Sequence, residues 1–335
     1  MTAKRNIIPV FVPHLGCPNN CVFCNQHRIS GESSPATPTA LRKTVLEGIT
    51  KIPGNSNIEL AFYGGSFTAI PVEEQIGLLD AALPFLLDGR IESLRLSTRP
   101  DAIDGETLER LKNYGVRTIE LGCQSMCDEV LLLSGRGHTA LQTEQSARLV
   151  KEYGFKLILQ MMTGLPGDTK ERTIETAKKI IALRPDGVRI YPTVIVEDTP
   201  LCDMWKAGVY EEHTVAQAVD WCAAVLPLFE EEEIPVIRLG LNPTEELSGG
   251  AALGGAYHPA MGELVKSRIL LDRARALLSG STAHRYEAVL FVNKSDVSAM
   301  TGQGRSNIRA LCSEFGLKSL RVSPAEIQRG KVSLG

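Results

Sequence analysis

The stretch from residue 156 to residue 192, KLILQMMTGLPGDTKERTIETAKKIIALRPDGVRIYP, sets the reading of the whole chain. It opens on an apolar run, passes through a Gly-rich turn, and continues as a helical pattern that stops at Pro185. It closes on a second apolar run. A strand, a helix and a strand of these lengths form a βαβ unit, whose strands lie parallel.

The unit recurs along the chain. NIIPVFV (6–12), IELAFY (58–63), SLRLST (93–98) and TIELG (118–122) are strand-like runs that join KLILQMM (156–162) and GVRIYP (187–192) to make six. The segments between them, such as ALRKTVLEGITKI, VEEQIGLLDAALPFLL and ALQTEQSARLVKEYG, are helical in pattern, and several end at Gly or Pro as helix stops do. Six units are too few for a closed eightfold barrel. The fold class is therefore α/β, with either a partial (β/α)6 parallel barrel or a doubly wound sheet. In both, chemistry sits at the carboxyl ends of the strands. The expected domains are a core over residues 1–235, a Gly-rich connection and helix over 236–284, and a small α+β region over 285–335. The connection, structureless by pattern from 238 to 264, is expected to cover the mouth with Tyr257 and His258 pointing inward.

Composition bounds the setting. At 335 residues and 43% hydrophobic content, the chain can bury a sizeable core. A net charge of −3 with 22% charged residues gives no global basic field for nucleic acid or membrane, so any nucleic-acid contact is local. The first sixteen residues fit neither a signal peptide nor a spanning helix. The expected location is the cytoplasm, where the eight cysteines stay reduced and clustered ones point to metal or chemistry. Cys202, Cys222 and Cys312 sit in apolar surroundings and read as small buried side chains.

Every strand delivers polar or glycine-rich residues to one rim. After the first comes CPNNCVFCNQH (17–27), with Cys17, Cys21 and Cys24 spaced C-x3-C-x2-C. His27 could complete a tetrahedral zinc site. A [4Fe–4S] cluster is the other reading: it normally takes four thiolates, so three would leave one iron open to a ligand.

The cysteine spacing, the aromatic Phe23 before the last cysteine and the loop's place after the first strand together resemble the radical S-adenosylmethionine (SAM) superfamily. That resemblance implies a partial barrel of the radical SAM type, with a [4Fe–4S] cluster and SAM as cofactors. The cluster would cleave SAM to a 5′-deoxyadenosyl radical, with electrons from a donor such as ferredoxin or flavodoxin. It assigns the metal to Cys17, Cys21 and Cys24. In YGGSFT it assigns the methionyl amino group to Gly64, Gly65 and Ser66, although many members carry an acid where this chain has Ser66. Further cofactor-binding residues on the rim are Ser97 of STRPD, Glu120 and Gln124 of ELGCQS, Arg136 of SGRGHT, and Gln160 and Met162 of QMMTGLPGDT. Arg136 suits the SAM carboxylate, which a guanidinium can meet bidentately. Glu120 needs a partner, either a ribose hydroxyl or an arginine such as Arg99 or Arg136. Cys123 and Cys127 form a further C-x3-C, which two thiolates alone cannot turn into a cluster site.

The string YGGSFTAIP, STRPDAID, ELGCQS, RGHT, MTGLPGDT, RIYPTVIVEDTPL and GAYHPAMGELV resembles, over roughly residues 5–270, the radical SAM domain of the Elongator catalytic subunit family. Those enzymes modify the wobble uridine of tRNA. About 65 residues follow position 270, too few for the acetyltransferase domain of that family, so acetyl-CoA chemistry is not carried over. The tail instead reads strand, helix, TGQGRSN, helix, strand, the order of a KH-like module whose loop clamps a nucleic-acid backbone. Gly302, Gln303, Gly304 and Arg305 would stand in that loop, as nucleic-acid candidates with Arg for the usual last glycine. Arg285, Lys294, Arg309, Lys318, Arg321, Arg329 and Lys331 make the tail locally basic. A small cap on the sheet is the plainer reading of the tail. The expected function is thus a radical SAM enzyme acting in tRNA modification. The alternatives are a radical SAM enzyme on a small molecule such as a porphyrin precursor, and a non-catalytic RNA-binding zinc protein.

Overall fold

The computed structural model describes residues 6–12, 17, 21–30, 36–52, 57–280 and 286–335, the side chains of His27 and Ser30 excepted. The ligand role weighed for His27 and the basic contribution of Arg285 lie outside the described residues.

Two compact units result, one of residues 1–214 and 225–257, the other of residues 215–224 and 258–335. The boundaries expected at 235/236 and 284/285 differ from these.

In the first unit all six expected strands are present: β1 (Asn6–Val12), β2 (Ile58–Gly64), β3 (Ser93–Thr98), β4 (Val116–Gln124), β5 (Lys156–Thr163) and β6 (Gly187–Pro192). After β7 (Val194–Val196), a further parallel strand, β8 (Val236–Leu239), pairs with β6. The sheet order β1-β2-β3-β4-β5-β6-β8 is monotonic. A doubly wound sheet needs a reversal of strand order, so this is the partial barrel. Right-handed crossovers in a monotonic order put the helices on one face. The supposedly structureless stretch after residue 237 contains part of β8, a π-helical turn (Leu247–Ala251) and β9 (Ala252–Gly255), which pairs antiparallel with β7. Its glycines and short elements hid this order.

The sheet curls strongly. Arg189 on β6 donates from Nη2 to the Tyr63 hydroxyl on β2 at 2.9 Å. Those strands are four spacings apart, roughly 19 Å in a flat sheet.

Alternation along the strands divides the labour. Leu60, Phe62, Leu94, Leu96, Ile119, Leu121, Leu157, Leu159, Val188 and Ile190 are fully buried. Each such side chain stabilises by about 1.5–3 kcal/mol. The residues between them, among them Tyr63, Arg95, Glu120, Gln160 and Arg189, face a cavity instead. Helix starts are fixed by side-chain caps: Asp104 accepts from Thr107 N, Thr169 from Arg172 N, and Thr139 forms a capping box with Gln142.

The second unit holds the long helix Met261–Ser279 and a three-stranded sheet ordered β11-β10-β12. The strands are β10 (Glu287–Val292), β11 (Ser319–Pro324) and β12 (Val332–Leu334), with β10 and β11 parallel and β12 antiparallel to β10. Helices Val297–Thr301 and Ser306–Phe315 link β10 to β11 through residues 302–305, the element order read from the sequence. Leu290, Val292, Met300 and Leu311 are the fully buried centre of this unit.

Candidate active site

A cavity of about 720 Å³ opens within the first unit, and all twelve metal and cofactor candidates of that unit line it. Cys17 and Cys24 are half-buried and Cys21 is buried. The loop is held by Cys24 N–H donating to Cys21 O at 3.0 Å. Gln26 Nε2 donates to Cys24 Sγ at 3.1 Å and Arg136 Nη1 to Cys21 Sγ at 3.4 Å. Burial pushes the Cys24 thiol up to about 12, with the neighbouring Cys21 adding to it. Burial also raises Cys17, against the opposing pull of Arg136. Thiols packed this way resist ionising until a cation joins them.

Arg136 is 7% exposed and has no carboxylate partner among the described residues. Its Nη2 donates to Gly122 O at 2.7 Å, while its Nε is buried without a partner. Position 122 must be glycine for this: a Cβ there would lie 2.8 Å from both Arg136 Nη2 and Gln124 Nε2. Arg99, 2% exposed, forms a bidentate pair with Asp101 at 2.9 and 3.0 Å and donates to Arg136 O at 2.7 Å, so it positions the second arginine. Gln124 sits at a β-bulge with φ of 62°, and its Oε1 accepts from Gln160 Nε2 at 3.4 Å.

At Gly64, φ is 101°, a left-handed conformation natural to glycine. Ser66 is buried, its Oγ 3.0 Å from Thr98 Oγ1 and accepting from Arg99 N at 3.2 Å. Met162 packs with Val130 and Leu165 at the cavity wall.

Glu120 is partnered, but by neither arginine named from the sequence. Its carboxylate meets Arg95 Nη1 at 2.9 Å and Arg189 Nε at 2.7 Å, and accepts from the Tyr63 hydroxyl at 3.0 Å. Arg95 also reaches Glu59 at 2.7 Å, which Ser93 and Thr118 bond further. Sequence reading passed over Arg95, Arg189 and Tyr63. The available signal was a charge in mid-strand flanked by apolar residues, in LRL and VRI.

Cys123 points elsewhere: its Sγ donates to Gln160 O at 2.9 Å, and burial raises its thiol to about 12. Tyr257 packs with Val194, Val196 and Leu247 and bonds Ser248, and does not line the cavity. The segment expected to cover the mouth contributes Arg238, Leu241, Asn242 and Thr244 to the lining.

Three thiols on one cavity beside an unmatched, buried guanidinium suit a polynuclear cluster. In such a cluster each thiolate would hold a separate iron, so the sulfurs would not need to meet at one point. Among the described residues, no three His, Cys, Asp or Glu side chains converge to hold a single metal ion. The orphaned Arg136 Nε and the open backbone at Gly64 and Gly65 leave donors and room for an amino-acid cofactor on the same wall.

The chain belongs to the radical SAM superfamily, whose description matches residues 11–180; the Radical SAM C-terminal domain matches residues 185–270. It is accordingly an enzyme, with a [4Fe–4S] cluster and SAM as its cofactors. Within that class it is similar to the tRNA uridine(34) acetyltransferase of Dehalococcoides mccartyi, with 27% identity over 72% of this chain and 62% of that protein. It is likewise similar to human Elongator complex protein 3, with 31% identity over 51% and 35% of the two chains. The chain thus spans less than two thirds of the length of these relatives. The structure of the archaeal Methanocaldococcus infernus Elp3 shares the fold, with a TM-score of 0.61 and 23% identity over 80% of this chain and 63% of that one. No described helix is long and apolar enough to cross a membrane.

Proposed function

We propose that this enzyme acts in tRNA modification at a uridine, holding the cluster on Cys17, Cys21 and Cys24. The observation that carries the reading is the three-thiol wall with Arg136 turned onto it, in a chain similar to tRNA-modifying enzymes. A cluster held by Cys17, Cys21 and Cys24 would supply the electron for reductive cleavage of SAM. The chain's own residues bind and orient. Gly64 and Gly65 offer backbone carbonyls to the methionyl ammonium. Arg136, steadied by Gly122 and Arg99, offers its guanidinium to the carboxylate, and Gln124, Gln160 and Met162 flank the adenosyl side. In the second unit, Gln303, Gly304 and Arg305 are exposed, and Arg305 is the RNA contact we assign there.

The test is anaerobic preparation with cluster reconstitution, then assay of iron and 5′-deoxyadenosine with and without tRNA. Parent protein is expected to retain four irons per chain, about one [4Fe–4S] cluster, and to release more 5′-deoxyadenosine when tRNA is present. Cys21→Ala is expected to lose both iron and cleavage. Full iron and cleavage in Cys21→Ala would overturn the cluster assignment, and indifference to tRNA would overturn the substrate.

A further inference from the structure

Five arginines line the cavity, and two of them, Arg136 and Arg238, have no carboxylate partner among the described residues. Arg95, Arg99 and Arg189 are answered by Glu59, Asp101 and Glu120. Arg136 is turned toward Cys21 and the cofactor side. Arg238 also lines the cavity, half-buried, and has no hydrogen-bonding or acidic partner among the described residues.

Its placement adds to the anomaly. Arg238 on β8 is the register partner of Arg189 on β6, so two arginines stand side by side on neighbouring strands whose backbones are about 5 Å apart. Like charges side by side are destabilising, and of these two arginines Glu120 pairs with Arg189 and not with Arg238. Local conflicts of this kind are expected where function maintains them. Apolar residues line the same cavity: Ile237 and Leu241 on the segment of Arg238, and Ile7, Pro9 and Phe11 on β1, the other edge strand of the sheet. Ile7 and Ile237 are 38% and 44% exposed, a large apolar surface for residues of a sheet.

We infer that Arg238 is the anion-binding residue of a subsite for a small molecule with a carboxylate or phosphate group and an apolar body, distinct from the SAM wall. The occupant is a small molecule rather than an RNA backbone because of depth. Arg238 lies within its strand, level with Arg189 and before the loop residues Leu241, Asn242 and Thr244, whereas a base turned into a pocket rotates about a backbone that is left outside. The inference rests on the radical SAM reading in taking this cavity for the reaction chamber.

The experiment titrates full-length protein, without cluster, with butyrate, monobutyl phosphate and a uridine-rich single-stranded RNA oligonucleotide, following binding by ligand-observed NMR. At least one of the two small anions is expected to bind saturably at one salt-sensitive site, the stronger binder identifying the anionic group. Arg238→Gln should weaken that binding by about tenfold or more, the effect of losing one hydrogen-bonded charge. Arg238→Lys should restore most of it, and the surface variant Arg184→Gln should match the parent. The comparison is repeated in Arg136→Gln, where the Arg238-dependent binding persists. Absence of saturable binding by both small anions, parent-like binding in Arg238→Gln, or loss in Arg136→Gln alone would overturn the subsite. RNA that displaces the small anion and itself depends on Arg238 would overturn the small-molecule occupant. None of these outcomes touches the iron and cleavage measurements, so the two readings fail separately.

Discussion

Gly122 is where a single hydrogen atom in place of a methyl group decides the geometry of the reactive wall. Its absent Cβ leaves room for the ends of two side chains, Arg136 and Gln124, which can swing aside at modest cost. Gly122→Ala should therefore lower stability by no more than about 2 kcal/mol, yet move Arg136 off Gly122 O. In reconstituted protein SAM affinity is expected to fall about tenfold, the scale of a lost charged hydrogen bond, while the urea midpoint shifts little. Unchanged SAM affinity would detach Arg136 from the cofactor. Buried titratable groups set the pH response. Burial pushes His138 and His213 down to about 4, with Arg136 adding to the effect on His138. The folded state keeps both neutral, so their contribution is complete above pH 6.5 and is lost as pH falls toward 4. Asp168, pushed up to about 6 by burial, works the other way: the folded state holds its proton, and that contribution fades as pH rises from 4 to 6. Two imidazoles outweigh one carboxyl. Stability is expected to drop by on the order of 3 kcal/mol between pH 6.5 and 4.5, as followed by urea denaturation. His213→Gln should flatten the drop, and a stability that rises on acidification would contradict the balance.

The link from Gly302 to Arg305 shows how much one short element can carry. Three of its residues are left-handed, with φ of 76° at Gly302, 55° at Gly304 and 64° at Arg305. A Cβ on Gly302 would meet Ser306 Oγ at 2.5 Å and Asn307 N at 2.9 Å, whereas one on Gly304 meets nothing within 4 Å. Asn307 is itself buried and donates to Ser267, Ala299 and Met300, so it cannot give way. Gly302→Ala should cost about 1–3 kcal/mol in strain and Gly304→Ala about 1 kcal/mol, measured by hydrogen exchange across residues 287–324. Equal effects would show that backbone conformation alone, not the crowding at Ser306, sets the cost. Arg305 is the telling member, since a non-glycine residue occupies the left-handed position at a cost glycine would avoid. If the side chain is there for RNA, Arg305→Gly should leave stability intact or raised, weaken tRNA binding, and reduce the log-log salt slope by about one phosphate contact. A salt-insensitive or unchanged affinity would make this tail a structural cap.

Across the whole molecule, the sequence was legible where one physical signal acted alone. Long apolar runs flanked by capped helices named six strands, and the C-x3-C-x2-C loop with the rim glycines named the residues that now share a cavity. The seventh strand escaped because Val236–Leu239 is four residues long and half of it reads as the start of a glycine-rich loop. Arg95, Arg189 and Arg238 escaped for a different reason: an arginine in a strand looks solvent-facing until the sheet's curvature shows that its side of the sheet lines a cavity. The partners of Glu120 could not be read at all, since they come from strands 25 and 69 residues away. That curvature has a mechanical side. A sheet with free edges has no ladder of hydrogen bonds to close its circumference, so its radius must be set by something else. Here Tyr63, Arg95, Glu120 and Arg189 span the concave face from β2 to β6 as tie rods do an arch. The width of the chamber is thereby governed by side-chain electrostatics, and its stiffness can be tuned by exchanging a single tie without rebuilding a strand.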